Sequence, residues 1–313
     1  MSGSTPKLDA AWPPLPLEAW ADTKQTLHRY CQIVGKVRMA LVPYRNHWWH
    51  VTLYPDTRGL STGPMPVGRG RTVEVAFDFV DHRLAVSTSD GRIESFPLVH
   101  GLACMDFYAQ LFSTLAALGI DVKIRPEPFD LDGPLLSEDR EHDAWDAEAV
   151  RRYWTVLRRV TDVLTEFAGW FNGKQSPAHL FWHSFDLALA RFSGRTVPPR
   201  PGADRVTAEA YSHEVIAFGW WPGDAKVPYP AFYSYTAPAP AGLVDQPLRP
   251  TGATWNAEAG TAFLPYEVVQ SSADPRATLL EFLSSTYDAG ARTARWDLEA
   301  FATRASRLPA SGQ

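Results

Sequence analysis

Histidine and tryptophan stand side by side twice in this sequence, in YRNHWWHVTLY (residues 44–54) and in SPAHLFWHSFDLALARF (residues 176–192). Neutral imidazole is the commonest protein ligand for zinc, iron, nickel and copper, and three nitrogen or carboxylate ligands leave a position open for water or substrate. His47, His179 and His213, the last from YSHEVIAF, are the candidate ligands of a divalent ion such as zinc or iron. His50 and His183 stand in reserve, while Asp186 and Glu214 can complete the sphere or act as general base. The bland alternative is that each imidazole is half-buried and hydrogen-bonded to a carbonyl. Against it, all three candidates sit among Trp, Tyr and Phe, where an unpaired polar group costs about 1 to 3 kcal/mol.

Around these residues Trp49, Trp182 and Tyr233 supply aromatic walls for a substrate, and Arg191 and Arg195 of ARFSGR can clamp an anionic group with bidentate guanidinium. Other chemistries find less support. There is no HExxH or CxxC, and GRGR at 68–71 lacks the spacing of a phosphate loop. Ser184 and Ser212 adjoin histidines, but neighbouring residues on a strand face apart.

Positioning these groups requires strands, and the sequence offers them. Read as a strand, 44–54 puts His47, Trp49, Val51 and Leu53 on one face; read likewise, the second motif aligns His179, Phe181, His183 and Phe185. LEAWADTKQTLHRYCQIVGKVRMAL has helical spacing and ends before Pro43. RTVEVAFDFVDHRLAVSTSDGRIESFPL alternates as a three-stranded meander, turning at Asp90-Gly91, and CMDFYAQLFSTLAALGI returns to a helical period before a short strand, DVKIRPEP. The acidic, irregular FDLDGPLLSEDREHD reads as a linker. Beyond it come a long helix from Asp146 as N-cap, the second motif, the strands AYSHEVIAFGWW, PAFYSYTA and TAFLPYEVV, and a helix opened by Pro275.

Helix, His/Trp segment, Pro/Gly loop, strands and helix occur in that order twice. The expected fold is therefore α+β, with antiparallel sheets flanked by helices in two similar halves, residues 1–130 and 131–313, related by internal duplication and packed as one module around a Trp-rich cleft. Composition narrows the function. The net charge of −5 has no basic run, which excludes a phosphate-neutralising footprint. No stretch approaches the ~18 apolar residues of a membrane span, nor does the N-terminus resemble a secretory signal, so a cytoplasmic protein without membrane or nucleic-acid partners is expected. Cys31 and Cys104 sit on apolar helix faces and read as core residues. The 12 Trp each bring a large apolar area and an N–H in need of a partner, which suits a pocket lining.

LPLEAWADTKQTLHRYCQIVGKVRMAL, NHWWHVTLY, FDFVDHRL, HLFWHSFDLALARFSGR, EAYSHEVIAFGWWPG and AFYSYTAP together resemble, in order and over nearly the whole chain, an uncharacterised bacterial family, domain of unknown function 5996. The resemblance implies one full-length module and carries no activity. The residues alone point to a metal-dependent enzyme acting on a small organic molecule, by hydrolysis or oxidation. The alternative is a non-catalytic protein that binds a small ligand in an aromatic pocket.

Overall fold

The computed structural model describes residues 12–303. Helix α1 (Ala21–Leu41) ends where Val42 turns extended ahead of Pro43. Its spacing suggests a surface helix, yet nearly every residue from Thr23 to Arg38 is buried. Its polar side chains escape the cost of burial by holding backbone: the Lys24 ammonium donates to Gly223 O at 2.6 Å, Lys36 to Glu127 O at 2.6 Å, and Gln32 to Phe129 O at 2.8 Å. Arg29 meets the fully buried Asp139 at 3.0 Å. The acidic segment 129–143 is thus stapled to α1 and is no free linker. DVKIRPEP forms no strand, because Arg125 and Glu127 spend their carbonyls on Lys36.

The first sheet contains β1 (Tyr54–Pro55), β2 (Gly59–Ser61), β3 (Met65–Pro66), β4 (Thr72–Asp78), β5 (Arg83–Thr88) and β6 (Ile93–Pro97). Its order is β1-β2-β4-β5-β6, with β3 also on β4, all antiparallel. Val73, Val75 and Phe77 alternate into the core as the period-2 pattern requires. Helices α2 (Cys104–Ala117) and α3 (Ala147–Ala168) follow, and the Asp146 carboxylate caps α3 by accepting from Glu148 N and Ala149 N. Both cysteines are buried and unbridged, and burial pushes the Cys104 thiol up to about 12.

The second sheet runs β11-β12-β10-β9-β8-β7. It consists of β7 (His179–Phe181), β8 (Asp186–Thr196), β9 (His213–Trp221), β10 (Ala231–Ala237), β11 (Thr254–Asn256) and β12 (Thr261–Pro265), with α4 (Arg205–Ala210) between β8 and β9. Helices α5 (Tyr266–Gln270), α6 (Pro275–Thr293) and α7 (Leu298–Phe301) close the chain. Leu53 and Leu180 exchange both backbone hydrogen bonds, at 2.9 and 2.7 Å, and so join the two sheets edge to edge. One continuous hydrophobic core draws on both sheets. The two strand orders differ, so the repeated sequence pattern is not matched by repeated topology. No helix among the described residues is long and apolar enough to cross a membrane.

Candidate functional site: an aromatic cavity over the second sheet

Register divides the second sheet into two unlike faces. Leu187, Leu189, Ile216, Phe218, Trp220, Phe232 and Leu264 fill one face, which α3 and α6 cover. On the other, one cross-strand row reads His179, Ala188, Gly219, Tyr233 and Phe263, and the next reads Ala190, Ala217, Tyr235 and Thr261. Small residues in mid-sheet with aromatics at its margins leave a hollow of about 910 Å³. The Tyr233 ring lies flat across Gly219, where a Cβ would meet it at 2.4 Å. The end of α1, the 46–51 turn, residues 123–129 and α4 form the walls. Four of the large apolar side chains the surface exposes, Met39, Phe129, Val206 and Tyr211, stand among the lining residues.

The first His/Trp motif is a turn instead of a strand, and the second is two strands, β7 and β8, joined by a turn. His47 and Trp48 occupy the left-handed region (φ 55° and 60°) inside a 3₁₀ turn, and the second motif is a hairpin whose connection, Trp182 to Phe185, also ends left-handed (Phe185 φ 58°). Such backbone costs about 1 kcal/mol or more per bulky residue and persists only where the surroundings hold it. In the first turn His47 Nδ1 donates to Ala210 O at 3.2 Å and Trp48 Nε1 to Val206 O at 3.1 Å, so α4 holds it. In the second, His28 of α1 donates Nε2–H to the carbonyls of Trp182 (2.9 Å) and His183 (3.1 Å) and stacks on Phe185 at 4.8 Å. His28 carries no catalytic motif in sequence, which is why its anchoring role shows only in three dimensions.

The three proposed metal ligands do not meet. His47 uses both nitrogens: Nε2 accepts from the Lys174 ammonium at 2.7 Å while Nδ1 serves Ala210. Burial, reinforced by Lys174, pushes its pKa down to about 4. His213 lies edge-on to His47, their ring centroids 5.4 Å apart, and is not part of the cavity lining. The Trp49 ring is 5.4 Å from that of His47 and 6.3 Å from that of His179. Among the described residues no group of three or more His, Cys, Asp or Glu side chains is placed to hold one metal ion. His50 is buried near Tyr44 and Trp48, and His183 packs between Phe181 and Phe129 on the cavity wall.

His179 is 1% exposed, lines the cavity, and its Nδ1 has no hydrogen-bond partner among the described residues. Burial, then the nearby Arg38, pushes its pKa down to about 3, so the ring is neutral. Trp49, Trp182, Tyr233 and Asp186 line the cavity with it. The Asp186 carboxylate accepts from the Tyr233 and Ser184 hydroxyls. Burial and the Asp186 charge hold the Tyr233 phenol well above its usual range, so it remains a donor.

Glu214, Arg191 and Arg195 lie elsewhere. Glu214 accepts from Ser193 (2.9 Å), Arg195 (2.8 Å) and Trp296 (3.0 Å), fastening the chain end to β8 and β9. Arg191 points to the helix-covered face, 1% exposed, with its guanidinium 3.6 Å from the Phe167 ring centroid and 4.7 Å from that of Tyr287. It bonds the Phe167 carbonyl and has no carboxylate partner among the described residues. An unpaired buried cation gains from the ring faces about what it loses in desolvation. Arg191→Met is therefore expected to leave unfolding free energy within about 1 kcal/mol of the parent and ligand binding unchanged, as checked by urea titration.

The sequence motifs drew attention away from Ala188, Ala190, Ala217, Phe181, Trp221, Tyr235 and Phe263, which build most of the floor and its margin. Their signal was present as strands with large residues on one face and alanines on the other. A family model, described as a family of unknown function (DUF5996), matches residues 12–303. No curated protein and no solved structure matches the chain.

Proposed function

The chain belongs to the family DUF5996, of unknown function, and we propose that it is a binding protein for a small, largely aromatic molecule, held in the cavity over the second sheet. The observation that carries this reading is the hollow itself. A sheet face built as core would carry large side chains down to close packing, whereas here alanines sit at its centre and about 910 Å³ stays open. That volume suits a drug-sized ligand.

The test uses 2-(1-naphthyl)ethanol and follows quenching of Trp49, Trp182 and Trp221, all cavity residues. About 13 non-hydrogen atoms at roughly 0.4 kcal/mol each give a Kd of about 0.1 mM. Ala190→Phe places a ring in the middle of the floor and should weaken binding at least about tenfold without lowering the melting temperature. An Ala190→Phe variant that binds the probe unchanged would refute the cavity as the site. Elemental analysis of chelator-free protein belongs beside it: one metal ion per chain, lost in His179→Ala, would replace this reading with a metal-dependent reaction.

A further inference from the structure

The sheet face that floors the cavity presents one formal charge. Asp186 stands at the start of β8, opposite Phe181 of β7 in register, with Trp221 one step beyond the Leu187–Trp220 pair on its other side. Tyr233 reaches over Gly219 to bond its carboxylate. Trp221 in turn lies 5.8 Å from Tyr233 and 5.7 Å from Phe263 between ring centroids, both steeply inclined, so aromatic rings cluster beside the strand position that carries the carboxylate.

Other sheltered carboxylates of this protein have a cation. Asp78 is held by Arg58 and Arg83, Asp139 by Arg29, and Glu214 by Arg195. Asp186 forms no ion pair among the described residues: it accepts from the hydroxyls of Ser184 and Tyr233, which leave carboxylate lone pairs unused, and the nearby His183 imidazole has its pKa lowered by burial against the pull of the Asp186 charge. The cavity's cations do not supply the deficit. Lys36 is spent on the carbonyls of Arg125 and Glu127, and the side chains of Lys123 and Arg125 are exposed at the wall. An ammonium group is attracted both by a carboxylate and by the quadrupole of ring faces, and such cages recognise alkylated amines.

We infer that the ligand of this cavity carries a cationic nitrogen, a protonated or alkylated amine, seated at Asp186 among Phe181, Trp221 and Tyr233, with its apolar body over Ala188, Ala190 and Ala217. The inference rests on the cavity reading and adds the charge of the ligand to it. It assigns Asp186 the binding of a cation, in place of general-base work.

Three probes with one aromatic body separate the two levels: 2-(1-naphthyl)ethylamine, 2-(1-naphthyl)ethanol and 1-naphthylacetate, titrated by calorimetry at neutral pH. The amine should bind about tenfold tighter than the alcohol and the carboxylate weakest. Asp186→Asn, which keeps an acceptor for Tyr233, should abolish the preference for the amine over the alcohol, and an unchanged melting temperature shows that the variant is folded. Should the alcohol or the carboxylate bind as tightly as the amine, or Asp186→Asn leave the amine preference intact, the cationic assignment falls while the cavity stands. Should none of the three bind, the cavity reading falls and takes this inference with it.

Discussion

Taken from pH 7.5 to pH 4.5, the protein is expected to lose about 5 kcal/mol of unfolding free energy through His28 and His179 alone. Burial drives both imidazoles down to about 3 in the folded state, and Lys24 adds to the effect at His28. In the unfolded chain they titrate near 6.5. Below 6.5 the unfolded chain therefore binds protons that the folded chain refuses, and stability falls as pH falls. The two-unit gap between 6.5 and 4.5 is worth about 2 to 3 kcal/mol per group at 1.36 kcal/mol per unit. His47 shifts in the same direction and steepens the fall. The carboxylates act in a lower window. Asp78 and Asp139 are held below their usual 3.8, so their contribution persists above that value and is lost only below it. Urea midpoints at pH 7.5, 6.0 and 4.5 measure the slope, and His179→Phe, which cannot take up a proton, should remove about 2 to 3 kcal/mol of the loss. A midpoint that stays flat across this range would mean that the rings are not held neutral in the interior.

The same residues mark how much was legible in the sequence. Elements with a regular period were read directly: α1 up to Pro43, the alternating meander from Val73 onward, α3 from its Asp146 cap, β9, β10 and α6 from Pro275. The site was legible in type and only partly in place. His179, Asp186, Trp49, Trp182 and Tyr233 do share one cavity, while His213, Glu214, Arg191 and Arg195 do not line it. The faces within the two His/Trp motifs are misassigned for one physical reason. His47 and Trp48 in the first motif and Phe185 in the turn of the second occupy left-handed backbone, which no local propensity favours and which only distant partners, α4 and His28, hold in place. Once a strand was assumed there, alternation assigned the wrong faces. Arg191 was misplaced for a second reason: its guanidinium is neutralised by ring faces, a partner that charge patterning does not register.

Gly35→Ala should destabilise the protein by about 2 kcal/mol, although glycine to alanine inside a helix ordinarily stabilises by about 1. Gly35 is buried in the middle of α1, and an added Cβ would stand 2.0, 2.3 and 2.4 Å from Cδ1, Cγ and Nε1 of Trp182. Those are atoms of a rigid ring on a short turn whose backbone His28 pins by two carbonyls, so the turn cannot carry the indole away from α1 without breaking both bonds. The absent methyl is thus what lets the hairpin turn lie directly on α1, and Trp182 in that position walls the cavity. Two readouts follow from one contact. Denaturant titration should show the loss of stability, and 2-(1-naphthyl)ethanol should bind several-fold more weakly as the displaced ring distorts the wall. In a Trp182→Leu background the smaller, branched side chain can yield, so adding Gly35→Ala there should cost less than about 0.5 kcal/mol, giving a coupling energy of about 1.5 kcal/mol between two positions 147 residues apart in sequence. Additive effects in that cycle would show that α1 and the turn are not in direct contact, and with them would go the claim that the close approach at Gly35 sets the shape of the binding site.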